Sequence, residues 1–220
     1  MRLLNYILDL IYPPKCLLCD KVLASNQLDL CPDCRVNQPI CPISKNKLSF
    51  VDSWLALWYY KENAKESLRR YKFRGKRCYA SGYGRLLAMK ICEELDDEYD
   101  LITWIPVSKR RRFKRGYDQV QLLAEALGKE LDCPPVACLQ KIRDNPPQSG
   151  ISGQAQRRAN VLGAYKAINR EQIAGKRILL LDDIITTGST AGECAKVLLT
   201  AGAAQVHLAA VAVANHNERK

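Results

Sequence analysis

The chain has 220 residues, 47% of them hydrophobic, which suffices for one large domain with a small module beside it and excludes a disordered chain. Its formal net charge of +11 selects anionic partners: nucleic acid, a membrane surface or a phosphorylated ligand. Two His residues in the whole chain argue against His-based catalysis, and no run of about 20 uninterrupted apolar residues reads as a transmembrane helix.

Residues 1–12 place Leu3, Leu4, Ile7, Leu8 and Ile11 on one helical stripe. The expectation is a helix docked on the body, with contact to a membrane surface as the alternative. Asn5 and Asp9 interrupt the apolar run, and Pro13-Pro14-Lys15-Cys16 is no small-residue cleavage site, so a signal peptide is not expected. Ten Cys are present, and five of them crowd residues 16–41. Cys16-x-x-Cys19 and Cys31-x-x-Cys34 form two knuckles whose four thiolates complete a tetrahedral metal site. Zinc fits best; iron in a similar cage and a redox dithiol are the alternatives. Metal would fold a segment, residues 13–48, too small for its own core. Cys41 heads a third knuckle whose second position is Ser44, and it is a possible substitute ligand. The remaining five Cys read as small core residues, and the pattern suits a reducing, cytosolic compartment.

Residues 49–220 read as an α/β domain, a parallel sheet flanked by helices. The aromatic run 53–60 is a strand, and residues 61–71 form a helix. The helix leads into a basic stretch carrying Arg69, Arg70, Lys72 and Arg74. Tyr71 and Phe73 interleave with these cations, a pattern able to follow a nucleic-acid backbone and stack bases, or else a solvated basic face with two rings packed inward. A helix over 79–95 and a buried strand over 101–107 follow. After that strand come Ser108, Lys109, Arg110, Arg111, Arg112, Phe113, Lys114 and Arg115. Cations at the C-terminal end of a strand can hold pyrophosphate, and Ser108 and Lys109 are the candidates; the later cations suit nucleic acid.

Residues 140–160 are polar and contain Pro146-Pro147, so they read as a mobile flap with a short helix from about 153 to 161. Gln148, Arg157 and Asn160 are its candidate ligand-facing side chains. Core strands are expected over 163–168, 178–182 and 205–213, with a helix over 190–200; the tail 215–220 is expected to fray. The stretch Arg177–Thr190 joins an apolar strand, the pair Asp182 and Asp183, and the loop Thr186, Thr187, Gly188, Ser189 and Thr190. Hydroxyls, a glycine and a helix start make a phosphate cradle, and the acid pair suits sugar hydroxyls or a magnesium ion beside them. The local chemistry is therefore that of a sugar-phosphate site. No Walker A loop, G-x-G-x-x-G or H-E-x-x-H occurs.

Four apolar residues, Asp-Asp, two apolar residues and Thr-Thr-Gly-x-Thr resemble the motif by which type I phosphoribosyltransferases bind phosphoribosyl pyrophosphate (PRPP). The resemblance implies that Asp182 and Asp183 hold the ribose hydroxyls and that residues 186–190 hold the 5′-phosphate. It also implies that the flap is a lid over the ligand. Purine-salvage members carry an Asp where this chain has Thr186, which argues against a hypoxanthine or guanine transferase. The segments 105–119, 122–124 and 148–161, with Pro13-Pro14-Lys15-Cys-x-x-Cys, resemble the ComF family over nearly the whole chain, although many relatives carry Cys at the position of Ser44. This likeness implies a zinc module joined to a type I phosphoribosyltransferase-like domain, and a link to uptake of single-stranded DNA in natural transformation.

Three functions follow as expectations. The first is a PRPP- and Mg²⁺-binding protein that supports DNA uptake, meeting single-stranded DNA and the translocation machinery, such as a helicase-type competence protein, in the cytoplasm or at the inner face of the membrane. The second is an active transferase that expels pyrophosphate, with Lys109 steadying the leaving group and Arg157 closing from the lid. The third is a plain nucleic-acid-binding module.

Overall fold

The structure is a computed structural model that describes residues 13–42, 47–95, 99–144 and 154–214, without the side chains of 154, 155, 157 and 158. The expected N-terminal helix, Ser44, Gln148 and the polar tail lie outside the described residues, as does the Arg157 side chain. Among the described residues no helix is long and apolar enough to cross a membrane.

Helix α1 (Pro32–Val36) begins at the second Cys knuckle. Strand β1 (Ser53–Tyr59) follows, then helices α2 (Glu62–Phe73) and α3 (Tyr79–Glu94), strand β2 (Leu101–Trp104), helix α4 (Lys109–Arg115), helix α5 (Gln119–Glu130) and strand β3 (Leu139–Lys141). The second half comprises helix α6 (Gln154–Val161), strand β4 (Tyr165–Ala167), helix α7 (Arg170–Ile173), strand β5 (Arg177–Ile185), helix α8 (Ser189–Thr200) and strand β6 (Gln205–Val213).

Four strands form one parallel sheet in the order β1-β6-β5-β2. Its centre is apolar on both faces, as a covered parallel sheet requires: Ile178 to Leu181 and Val206 to Ala212 are all buried, and His207 is the one polar residue among them. Leu179 and Leu181 join a core with α2, α3 and α5 on one face; Ile178 and Leu180 join a second core with α7 and α8 on the other. Helices α3 and α5 meet closely because Gly84 has no side chain: a Cβ there would lie 2.9 Å from the Ala126 carbonyl carbon.

Several elements depart from the sequence reading. The strand before the basic run stops at Trp104, and the run itself, Lys109–Arg115, is helical. Ser108 caps this helix, accepting a bond from the Arg111 N–H at 3.3 Å, and Gly116 ends it in the left-handed region at φ 76°. Residues 163–168 supply only the short strand β4. It pairs antiparallel with β3, inside what reads as polar flap, and stands outside the main sheet. Both strands are three residues long, too short for an alternation to show. Of the scattered cysteines, Cys138 and Cys194 are core residues as expected, whereas Cys78 and Cys92 are exposed.

Candidate functional site

The metal module comes first in the chain. The ligand atoms of Cys16, Cys19, Cys31 and Cys34 all lie within 4.8 Å of one another, and the Sγ atoms of Cys19 and Cys31 are 3.7 Å apart. A tetrahedral ion with Zn–S bonds of about 2.3 Å sets its sulfurs roughly 3.8 Å apart, so the thiolates fit zinc. Cys41 is not a fifth candidate: its backbone N–H donates to Leu57 O on β1, and its side chain is buried in the core with Trp54.

This module sits on α2 and α3 through polar bonds to the chain between the thiolates. Arg70 Nη2 donates to Leu17 O at 3.1 Å and to Leu18 O at 2.6 Å, and Ser67 Oγ also donates to Leu17 O. Arg85 grips Asp29 through Nε at 3.0 Å and Nη2 at 2.5 Å, and the Tyr79 hydroxyl donates to Asp20 at 2.7 Å. Arg70 is 7% exposed, so it is a buried clamp and is withdrawn from the nucleic-acid candidates. Tyr71 is withdrawn too, because it is fully buried and its hydroxyl donates to Gln119 O at 2.6 Å.

A cavity of about 1220 Å³ opens at the C-terminal end of β5 and β2. Strand β5 does not stop at the acid pair but runs through it to Ile185. Side chains alternate along a strand, so the two carboxylates take different partners. Asp183 shares the α2 and α5 side: Lys72 Nζ donates to its Oδ1 and Gln119 Nε2 to its Oδ2, each at 2.7 Å. Lys72 is thus an inward counter-ion, not part of an outer nucleic-acid face. The carboxyl of Asp182 accepts from the Asp183 N–H at 2.8 Å. Burial, and next the charge of Asp183, push its pKa up to about 8.

Beyond β5 the chain turns at Gly188, whose φ of 72° suits glycine and which precedes the first turn of α8. Leu48 lies over this turn, where a Cβ on Gly188 would come within 2.6 Å of Leu48 Cδ2. Thr186, Gly188 and Thr190 face the large cavity. Thr187 and Ser189 pair their hydroxyls with each other at 2.8 Å and line a smaller recess of about 240 Å³ with Lys47 and Lys196.

Helix α4 lines the same cavity as the acid pair. Arg110, Arg111, Lys114 and Arg115 line the cavity; Ser108 is buried under its cap, and Lys109 is exposed and does not line it. Asp118 anchors this wall, accepting from the N–H groups of Val107, Val120 and Gln121. Arg115 stacks over the ring of Phe73, 4.9 Å to the centroid, at the cavity edge. Phe73 is 67% exposed and Phe113 is 91% exposed, while Arg69 and Arg74 reach Glu66 on the outer face of α2.

The β3–β4 pair and α6 close the remaining side with Lys141, Tyr165 and Asn160. Lys141 Nζ bonds the Tyr165 hydroxyl at 3.1 Å. Burial, then the positive charge of Arg111, lowers the Lys141 pKa. Lys141 and Tyr165 carry no motif in the sequence. Gln119 and Asp118 stood inside the ComF-like run, which marked the segment without assigning them a contact.

The parallel sheet that ends in this acid pair and glycine turn has a phosphoribosyltransferase-like α/β fold, and a four-thiolate module precedes it in the chain. The comparisons agree: residues 121–220 match the model of the phosphoribosyl transferase domain, and residues 7–47 match that of the double zinc ribbon domain. The chain is a homologue of proteins named competence protein F, competence protein ComFC and DNA utilization protein YhgH.

Competence protein F of Haemophilus influenzae is 27% identical over 163 residues, 71% of each chain. Competence protein ComFC of Bacillus subtilis is 27% identical over 184 residues, 80% of this chain and 73% of that one. YhgH of Escherichia coli K12 is 29% identical over 149 residues, 64% of this chain and 63% of that one, so the match spans less than two thirds of its length. Among solved structures, the B. subtilis glutamine PRPP amidotransferase complexed with ADP and GMP aligns at a TM-score of 0.44 and 22% identity, over 64% of this chain and 30% of that one.

Proposed function

We propose that this protein binds PRPP with Mg²⁺ in the cavity at the end of β5 and supports DNA uptake in natural transformation. One observation carries the reading: the acid pair and glycine turn line the same cavity as Arg110, Arg111, Lys114 and Arg115. The turn offers hydroxyls and helix-start N–H groups to a 5′-phosphate. The cations of α4 answer a pyrophosphate group, whose charge is concentrated at the far end of the same ligand. Asp182 would offer a hard oxygen to the sugar or to magnesium, which would supply positive charge beside the phosphates.

The exposed Phe113 and Phe73, interleaved with Arg69, Arg74, Lys109 and Arg112, support contact with single-stranded DNA, since rings stack bases and cations follow phosphates. The homologues' names support a setting in competence. In that setting the zinc module or basic face would meet a translocation motor in the cytoplasm. Calorimetric titration with PRPP and Mg²⁺ tests the first claim. Binding by the wild type, lost in Asp182→Asn/Asp183→Asn with the fold intact, is the expected result; undiminished binding in that double variant refutes the site. Binding of single strands should fall steeply with salt, and the slope should shrink in Arg112→Ala.

The alternative reading is an active phosphoribosyltransferase that releases pyrophosphate. The same cations favour it, because they share the cavity with the carboxylates and suit a departing diphosphate. Pyrophosphate release from PRPP in the presence of a nucleobase or single-stranded DNA would establish it. No release with any acceptor would leave a PRPP-binding protein.

A further inference from the structure

Gln119 opens helix α5 and is 3% exposed, yet it lines the large cavity. Its amide has only one orientation open to it. A carboxylate oxygen takes the –NH₂ of an amide as its donor, and Gln119 Nε2 donates to Asp183 Oδ2 at 2.7 Å. Lys72 Nζ donates to the other oxygen of that carboxylate and holds it in place. The backbone of Gln119 is pinned as well, because its carbonyl accepts from the Tyr71 hydroxyl at 2.6 Å. That leaves Gln119 Oε1, a buried acceptor with no donor among the described residues.

Buried acceptors are normally met, and the residue that carries this one lines the ligand cavity. It cannot serve phosphate, whose oxygens are acceptors too. A hydroxyl is the complementary group. We propose that Gln119 Oε1 contacts the ligand directly and accepts a hydrogen bond from a sugar hydroxyl, making Gln119 a specificity-determining residue. Asp183 and Lys72 are positioning residues that aim it. The two carboxylates are then unequal: Asp183 has both oxygens engaged by the protein, and the diol is read by Gln119 together with Asp182. This inference rests on the sugar-phosphate reading of the cavity. A site that hydrogen-bonds a hydroxyl discriminates strongly against an analogue lacking it, because its own polar atom is then left without a partner.

The test is calorimetry on the zinc-loaded full chain with Mg²⁺, using ribose 5-phosphate, 2-deoxyribose 5-phosphate and 3-deoxyribose 5-phosphate. The wild type is expected to favour ribose 5-phosphate over at least one deoxy sugar by roughly tenfold or more. In Gln119→Met that preference is expected to shrink to within about twofold. In Lys72→Met all three sugars should bind more weakly with the preference retained. Thermal melting checks that each variant folds; should Gln119→Met not fold, Gln119→Lys keeps a donor for Asp183, lacks the carbonyl and makes the same comparison. A preference unchanged in the Gln119 variant overturns the proposal, and so does a wild type that treats all three alike. A preference that shrinks in Lys72→Met as much as in Gln119→Met also overturns it, since Gln119 would then act only through Asp183. If no sugar phosphate binds the wild type, this inference and the sugar-phosphate reading fall together; loss of the discrimination result alone leaves that reading standing.

Discussion

Lys72 Nζ and Asp183 Oδ1 lie 2.7 Å apart, joining the helix that carries the zinc module to the strand that ends in the acid pair. Two residues earlier on the same helix, Arg70 holds the carbonyl oxygens of Leu17 and Leu18, between the first two thiolates. One helix thus bears on both the metal module and the ligand cavity. The pair itself is mostly buried, so removing one partner leaves an uncompensated charge. Lys72→Met should lower unfolding stability by about 3 kcal/mol, and Lys72→Met/Asp183→Asn should recover part of that loss. Urea denaturation of the two singles and the double measures it; additive losses would show that the contact carries no energy.

The pH dependence of Asp182 has a definite sign. Its folded pKa, about 8, lies above the ordinary carboxylate value. Between roughly pH 4 and 8 the folded state therefore holds a proton that the unfolded chain has released. Stability contributed by this group is fully present below the unfolded pKa, declines as pH rises through that window and levels off above it. The wild-type-minus-Asp182→Asn difference in stability, followed by urea denaturation from pH 4 to 9, should fall across the window. A flat difference would show that Asp182 titrates normally.

Zinc removal should reach beyond the module. The knuckle loops are tied to α2 and α3 by Ser67, Arg70, Tyr79 and Arg85, and Gly82 lets Leu17 and Asp29 approach α3 closely. Arg70→Met removes two charged hydrogen bonds in a buried place and should cost about 2–4 kcal/mol. It should also speed zinc release to a chromogenic chelator. Release at the wild-type rate would show that the module holds its metal without the clamp.

Gly188→Ala should destabilise the turn twice over. A side chain in the left-handed region costs about 1–2 kcal/mol, and its Cβ would press on Leu48. Adding Leu48→Ala should relieve the contact and leave the backbone cost. Melting temperatures of the three variants separate these contributions; full recovery in the double variant would assign the whole effect to packing.

The β5 strand, the acid pair, the hydroxyl loop and the four thiolates were all legible in the sequence. Each is a short contiguous pattern: an apolar run long enough to cross a sheet, a glycine at a turn, two Cys pairs at ligand spacing. Local chemistry sufficed for these, and the resemblance to known families rests on the same runs. Runs of like charge were harder to read. Arg70 and Lys72 sit beside Arg69 and Arg74 in one basic stretch, yet the first two reach buried partners on different segments and the other two stay outside on Glu66. Which partners wait inside is a matter of packing between segments more than 50 residues apart, so no reading of residues 69–74 alone could tell a clamp from a surface cation.

The same limit applies to the cavity wall. Sequence placed Ser108 and Lys109 at the strand end, but the helix that begins there uses the Ser108 hydroxyl as its cap and sets Arg110, Arg111, Lys114 and Arg115 along the cavity instead. Lys141 and Tyr165 reached the cavity through a pairing of two three-residue strands, too short to announce themselves. By itself, then, the sequence determined the four-thiolate cluster, the fold class and the residue pattern of the β5 turn, because neighbouring residues carry those patterns. The tertiary structure alone decided how the two carboxylates divide their partners and left Gln119 with a buried oxygen at the cavity, because hydrogen bonds between distant segments, not spacing along the chain, direct those side chains.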